Sequence, residues 1–266
     1  MQDWHVHDFV SHDAKGHVRD FVEAAIEKGI TLILFANHPE RMCPLDNVFK
    51  INVDDVAKKL KLERDEIERC KDIYGDKIKL LQGIELENRR SLLEPNKRLL
   101  DIYRFDVVIG SCHLVGDSSI SSKRNIKIFE ETDEETLYNR FFDGAMDLLV
   151  SFPFDIMGHF DIVKRFGVYY YGTFEHEKYK DRIDEIYQVL AEKEIGLEIN
   201  TSGFFQGPKE PYPSEDMAAR ALQDGVPFII TGSDAHKPED LAKGFDKLEN
   251  ITRYNTGHNR LLKQDA

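Results

Sequence analysis

Strand-like and helix-like segments alternate along this chain about seven times, with no linker, low-complexity tract or fixed-period repeat between them. β-rich apolar runs are expected at residues 4–7, 31–37, 79–85, 106–110, 155–158, 196–200 and 227–231. Val18, Phe21, Val22, Ala25 and Ile26 recur at helical spacing, and Gly29 closes that helix. Further helices are expected over 54–74, 92–103, 134–150, 177–194, 214–225 (capped by Ser214) and 238–248, with 117–127 as a polar loop. Serial alternation of this kind demands a parallel sheet with right-handed crossovers. Periodicity leaves two forms open, a closed barrel and an open doubly wound sheet.

The length, 266 residues, suits one barrel-type domain spanning 1–266, and 41% hydrophobic residues supply its core. Lys and Arg total 36 against 49 Asp and Glu, a net charge of −13. Such a chain repels a nucleic-acid backbone, so no nucleic-acid partner is expected. An anionic substrate would need local positive charge, which bound metal ions can supply. Three cysteines, Cys43, Cys70 and Cys112, fit no C-x-x-C spacing and suit a reducing cytoplasm. The start MQDWHVHDF has neither the basic nor the apolar region of a secretory signal, and no apolar run approaches the roughly 20 residues that span a bilayer. A soluble cytoplasmic protein is expected. The sequence fixes no oligomeric state.

Metal-competent residues fall just past the ends of nearly all the expected strands. They are His5, His7 and His12 after the first, His38 after the second, Glu85 at the third, His113 after the fourth, His159 after the fifth, and Asp234 with His236 after the seventh. Parallel strands end on one face, so these nine residues can meet there, on the face where such folds carry their sites. Individually each signal is weak. His-x-His arises by chance, a lone His113 is more often a loop histidine, Glu85 alone suits a salt bridge and Asp234 a helix cap. The set carries the reading, because seven of the ten histidines share strand ends while His17, His176 and His258 read as surface residues. Nine ligands exceed the needs of one ion, so two or three divalent metals are expected, with imidazoles favouring zinc or iron and a carboxylate able to bridge.

The motifs DWHVH (3–7), GIELE (83–87), GSCH (110–113), GHFD (158–161), EINTSG (198–203) and GSDAH (232–236) together resemble the PHP (polymerase and histidinol phosphatase) family, most closely its histidinol-phosphatase branch. The resemblance implies a distorted, TIM-like (β/α)7 barrel with the metals at the C-terminal strand ends. It implies one metal on His5, His7, Glu85 and Asp234, a second on His12, His38 and His236, and a third on Glu85, His113 and His159, the ions being zinc, manganese or iron. The chain departs from the family in Asn37, where an acid usually precedes the second-strand histidine, in the short His7–His12 spacing that makes His17 a competitor, and in Phe204 and Phe205, where an arginine is common.

The implied activity is hydrolysis of a small phosphate monoester, histidinol phosphate first, by a hydroxide held between two ions, as a step of histidine biosynthesis. Asp234 and His236 belong to the catalytic group, and Asp161 is the candidate proton donor to the leaving alkoxide, with orientation of His159 or Lys164 as its other reading. Arg165 and Lys164 are candidate phosphate clamps, Arg165 on its bidentate chemistry and Lys164 on its position. Glu87, Asn200 and Glu198 are candidates to hold a cationic amine or imidazole, with a salt bridge to a barrel-rim Lys or Arg as their other reading. The rival readings are a phosphodiesterase or nucleotide phosphatase of the same family, an amidohydrolase-like metal hydrolase, and a metal-dependent regulatory module without turnover.

Overall fold

The computed structural model describes residues 1–43, 51–257 and 261. Seven strands form one all-parallel sheet: β1 (Gln2–Val6), β2 (Leu32–Phe35), β3 (Lys79–Glu87), β4 (Val107–Ser111), β7 (Ile156–Met157), β8 (Gly196–Asn200) and β9 (Ile229–Gly232), adjacent in that order. The short strands β5 (Leu114–Val115) and β6 (Ser118–Ser119) make a separate antiparallel hairpin. The sheet curls back on itself. Beyond β9, the amide of Asp234 donates to the His5 carbonyl (2.9 Å) and the amide of His7 to that of Ala235 (2.9 Å), so β1 and β9 are joined and the barrel form is the one adopted.

Alternation along the strands sorts the core into layers. Trp4, Leu34, Leu81, Ile109, Ile156 and Ile230 fill the barrel interior, while Ile33, Phe35, Ile84, Leu86, Leu197 and Ile199 point out against the helices. A register irregularity between Asp3 and Val6 inserts one extra residue in β1 relative to β2. Such a bulge lets successive side chains turn inward. Trp4 thereby joins the apolar floor and His5 the polar layer above it.

The crossover helices include α1 (Val18–Glu27), α2 (Val53–Tyr74), α3 (Leu93–Ile102), α5 (Glu134–Ser151), α7 (Lys180–Glu192) and α8 (Glu215–Gln223), with two short helices, α4 (Lys127–Glu131) and α6 (Lys164–Gly167). Asn52, Asp133 and Ser214 accept backbone N–H bonds at the starts of α2, α5 and α8, satisfying donors the helices leave open. Three expectations are corrected. The segment 117–127 holds β6, the second strand of the hairpin that turns at Gly116 (φ 61°), and a 3-10 turn at Lys123–Asn125, rather than only loop. The helix expected over 177–194 begins as a 3-10 turn, His176–Tyr179. The helix expected over 238–248 is two 3-10 turns, Pro238–Asp240 and Phe245–Lys247. Left-handed Ala242 (φ 53°) and Gly244 (φ 88°) separate them, and Asp3 holds the Ala242 amide at 2.9 Å. Among the described residues no helix is long and apolar enough to cross a membrane.

Candidate metal centre

Eight of the nine residues expected at the strand ends gather above the barrel's apolar floor, around Glu85 on β3. Glu85 Oε2 faces Nε2 of His5 (2.9 Å), His38 (3.1 Å) and His7 (3.6 Å), while Oε1 faces Nε2 of His159 (2.9 Å) and His113 (3.6 Å). Asp234 Oδ1 stands 3.2 Å from His7 Nε2, and His236 stacks on the His7 ring with centroids 4.2 Å apart. The loops after β7 and β9 reach this geometry through unusual backbone. His159 (φ 22°) and Asp234 (φ 55°) both take positive φ, which non-glycine residues hold only where the surroundings compel it.

Three ligand groups result: His5, His7 and Asp234; His7, His38 and Glu85; Glu85, His113 and His159. Within each, the candidate donor atoms lie within 4.8 Å of one another. The donor chemistry fits divalent ions of the zinc type, and one carboxylate oxygen on each of two groups fits a bridge. Both ring nitrogens of His7 are buried without a hydrogen-bond partner, as are Nδ1 of His38 and of His159. Buried polar atoms are rarely left so, and a cation between the rings would satisfy the inward-facing His7 Nε2.

Burial opposes charge on Glu85, yet His38, His5 and His159 hold its carboxyl well below the usual range. Asp234 is likewise lowered against burial, by His7, His236 and His5. Burial and the neighbouring His236 push the His7 imidazole down. His38 is lowered by burial and by His7 and His113 despite Glu85. His113 runs the other way: Glu87 and Glu85 outweigh burial and lift it to about 9.

His12 does not join the cluster. It is exposed, with Nδ1 on the Arg41 carbonyl (2.6 Å). Its competitor His17 is also exposed, stacked on Phe9 and 3.4 Å from Glu66. The side chain that turns toward His38 and His236 is Asp13, whose Oδ2 lies 4.0 Å from His236 Nε2. Against burial, His38, Ser11 and His236 lower its carboxyl to about 2. The acid directly after His12 was the available signal. His176 is partly exposed and His258 lies outside the described residues.

Four further expectations are corrected. Lys164 is fully buried, with Nζ 2.7 Å from Asp161 and 2.7 Å from Glu210, and lies outside the cavity lining. Its charge is consumed by that ion pair, so it is no phosphate clamp. Asp161 is fully buried in the same pair, which matches its other reading, the orientation of Lys164, rather than proton donation. Glu87 reaches the cavity, but its Oε2 accepts from the His113 amide (2.8 Å) and faces His113 Nδ1 (3.1 Å), so it orients a ligand. Asn200 is buried, donating to Glu198 (3.0 Å) and accepting from the Ser202 amide (3.1 Å).

Beside the cluster opens a cavity of about 450 Å³. Its wall carries Arg165 together with Arg41, Arg89 and Arg124, three arginines that the sequence did not single out. Arg41 sits 3.5 Å from Asp13 and Arg89 3.2 Å from Asp117. Glu40 also lines the cavity. One of its oxygens is buried without a partner, and burial raises its carboxyl to about 7.

The profile of the PHP domain matches residues 3–202. The histidinol-phosphatase of Lactococcus lactis subsp. lactis is 30% identical over 239 residues, covering 88% of this chain and 83% of that protein. A probable histidinol-phosphatase of Clostridium acetobutylicum is 25% identical over 245 residues, 91% of this chain and 89% of that one. The crystal structure of histidinol phosphate phosphatase from L. lactis, complexed with zinc, L-histidinol and phosphate, superposes with a TM-score of 0.76 at 26% identity, covering 92% of each chain.

Proposed function

The chain belongs to the PHP domain family, and from that premise we propose that it is a metal-dependent phosphatase that hydrolyses histidinol phosphate to histidinol and phosphate. The observation that carries the reading is Glu85, which presents one oxygen to His5, His7 and His38 and the other to His113 and His159, beside a cavity walled by arginines. The three ligand groups would hold two or three divalent ions, zinc first, with manganese or iron as alternatives. Such ions lower the pKa of an attacking water and neutralise the charge that grows on phosphorus.

The chain's own residues supply the rest. Arg165, part-buried on the cavity wall, donates a bidentate pair to phosphate oxygens. Glu40, a desolvated carboxyl with one unpartnered oxygen, suits the ammonium group of an amino alcohol phosphate and gains its charge by pairing with it. Glu87 fixes the His113 ring by accepting a hydrogen bond from its Nδ1–H. His236, one-third exposed at the rim, stands where substrate enters and serves both as ligand and as contact to the reacting phosphate. The reading makes the chain a single-domain cytoplasmic enzyme acting on a diffusible small molecule.

The deciding experiment measures zinc, manganese and iron in purified protein together with phosphate release from histidinol phosphate, a phosphodiester and an amide substrate. Bound metal with turnover of the monoester far above the other two is expected. Metal-loaded protein that cleaves only diesters or amides overturns it.

A further inference from the structure

We infer that Glu198 is a positioning residue that sets the metal-facing orientation of two ligands at once, His5 and His159. The inference rests on the metal-binding part of the proposed function. Glu198 sits on the inner face of β8 and is fully buried. Its Oε1 lies 2.8 Å from His5 Nδ1 and accepts from Asn200 Nδ2 at 3.0 Å. Its Oε2 accepts from the backbone N–H of His159 at 2.8 Å. Among the described residues, the one ion-pair partner of this carboxylate is His5 itself.

Carboxylates only accept, so His5 donates from Nδ1 to Glu198 Oε1 and from Nε2 to Glu85 Oε2, 2.9 Å away. A cation at the cluster would displace the Nε2 proton, and Glu198 keeps the remaining one on Nδ1. Without that acceptor the neutral ring is free to keep its proton on Nε2, which closes that nitrogen to a cation. The second oxygen acts on the backbone. His159 holds a φ of 22°, and the bond from its amide to Glu198 ties down the residue whose ring meets the other oxygen of Glu85. One side chain therefore supports ligands from both sides of the shared carboxylate.

The packing behind Glu198 is built for this. A Cβ on Gly232 would stand 2.0 Å from Glu198 Oε1 and 2.7 Å from His5 Cβ, so only glycine lets the carboxylate lie against the histidine. Three donors, His5 Nδ1–H, Asn200 Nδ2–H and the His159 amide, converge on two oxygens. Glutamine has one oxygen and one NH2 group. In either orientation Glu198→Gln sets the NH2 against a donor: against the His159 amide, or against His5, whose proton then moves to Nε2.

The test is competitive chelation of zinc from the wild type, Glu198→Gln and Glu198→Asp, with thermal melting of each metal-free protein in EDTA. Glu198→Asp keeps the charge but withdraws it from His5 by one methylene. Both variants are expected to stay folded without metal, melting below the wild type because a buried donor loses its acceptor, and to bind zinc about 10–100-fold more weakly, the cost typical of losing a partner behind a metal ligand. Zinc affinity in a folded Glu198→Asp within twofold of the wild type overturns the inference, whatever becomes of Glu198→Gln. A wild type that binds no zinc at all counts instead against the metal reading itself.

Discussion

Glu85 Oε1 stands 2.9 Å from His159 Nε2, across 74 positions of chain. The other oxygen of the same carboxylate is occupied by His5 and His38, so Glu85 is the one acid common to two of the three ligand groups. Glu85→Ala removes an oxygen from both. Zinc per chain, measured by elemental analysis, is expected to fall below half of the wild-type value, and turnover of histidinol phosphate by about a hundredfold or more. Full zinc content in this variant would show that the groups do not share the residue.

Lys164 is a different kind of residue from the clamp that its place after GHFD suggests. Its ammonium is buried between Asp161 and Glu210, 5.4 Å from the centre of the Tyr212 ring. Lys164→Ala leaves Asp161 charged and unpaired in the interior, a defect that costs about 3–5 kcal/mol. Urea denaturation should register that loss, and the KM of whatever folded enzyme remains should stay near the wild-type value. A large rise in KM with unchanged stability would return Lys164 to the phosphate.

Arg165 takes the opposite expectation. Its guanidinium lies over the Phe166 ring at 5.4 Å, on the cavity wall. Removing a charge-assisted bond to an anion costs about 1.5–3 kcal/mol. Arg165→Ala is therefore expected to raise KM for histidinol phosphate by about 10–100-fold, with zinc content and urea midpoint held. Steady-state kinetics on the zinc-loaded variant measures this, and an unchanged KM contradicts it.

How far these sites could be read in advance depends on what fixes each side chain. Parallel strands run one way, so a histidine at a strand end is bound to the same rim wherever it lies in sequence. His5, His38, His113, His159 and His236 were legible for that reason. Strand identity also fixed the inward direction of Glu85. The roles of Glu87 and Lys164 were not legible, because each depends on a partner from a distant element, His113 and Glu210, whereas Asp161 pairs with Lys164 three residues on, its other reading, and Asn200 with Glu198 two residues back on the same strand, where burial decides. His12 and Asp13 are neighbours on an irregular segment with no period, so chemistry alone could not choose between them. Arg41, Arg89 and Arg124 lie on connecting segments whose path over the rim only the fold defines. The composition of 238–248 suits a helix, whereas Asp3 ties the Ala242 amide into a left-handed turn.

Asn37 explains its own departure from the family pattern. Its Nδ2 donates to Asp8 Oδ1 (3.0 Å) and to Glu63 Oε1 (2.6 Å), and its Oδ1 accepts from the Asp8 amide (3.0 Å). Asp8, Asn37 and Glu63 are all 0% exposed, and Gln82 donates to the remaining Glu63 oxygen at 2.5 Å. A neutral double donor is what two buried acids need between them. Burial raises Asp8 to about 7 and lifts Glu63 well above the usual range, with Asp8 adding to the latter. Asn37→Asp replaces the donor with a third acid, desolvated and facing two others, so its own folded pKa must lie far above the unfolded value of about 3.9. An acid whose folded pKa is raised leaves stability intact below the unfolded pKa and loses it as pH rises through the folded one. The variant should therefore come closest to the wild type near pH 4, still short of it by the lost hydrogen bonds, and fall further behind up to pH 8, by about 2–4 kcal/mol in all. Urea melts of both metal-free proteins at pH 4, 6 and 8 give the difference directly. A gap that is constant with pH would mean that the aspartate reaches water, and that the buried acid pair does not require a neutral residue at position 37.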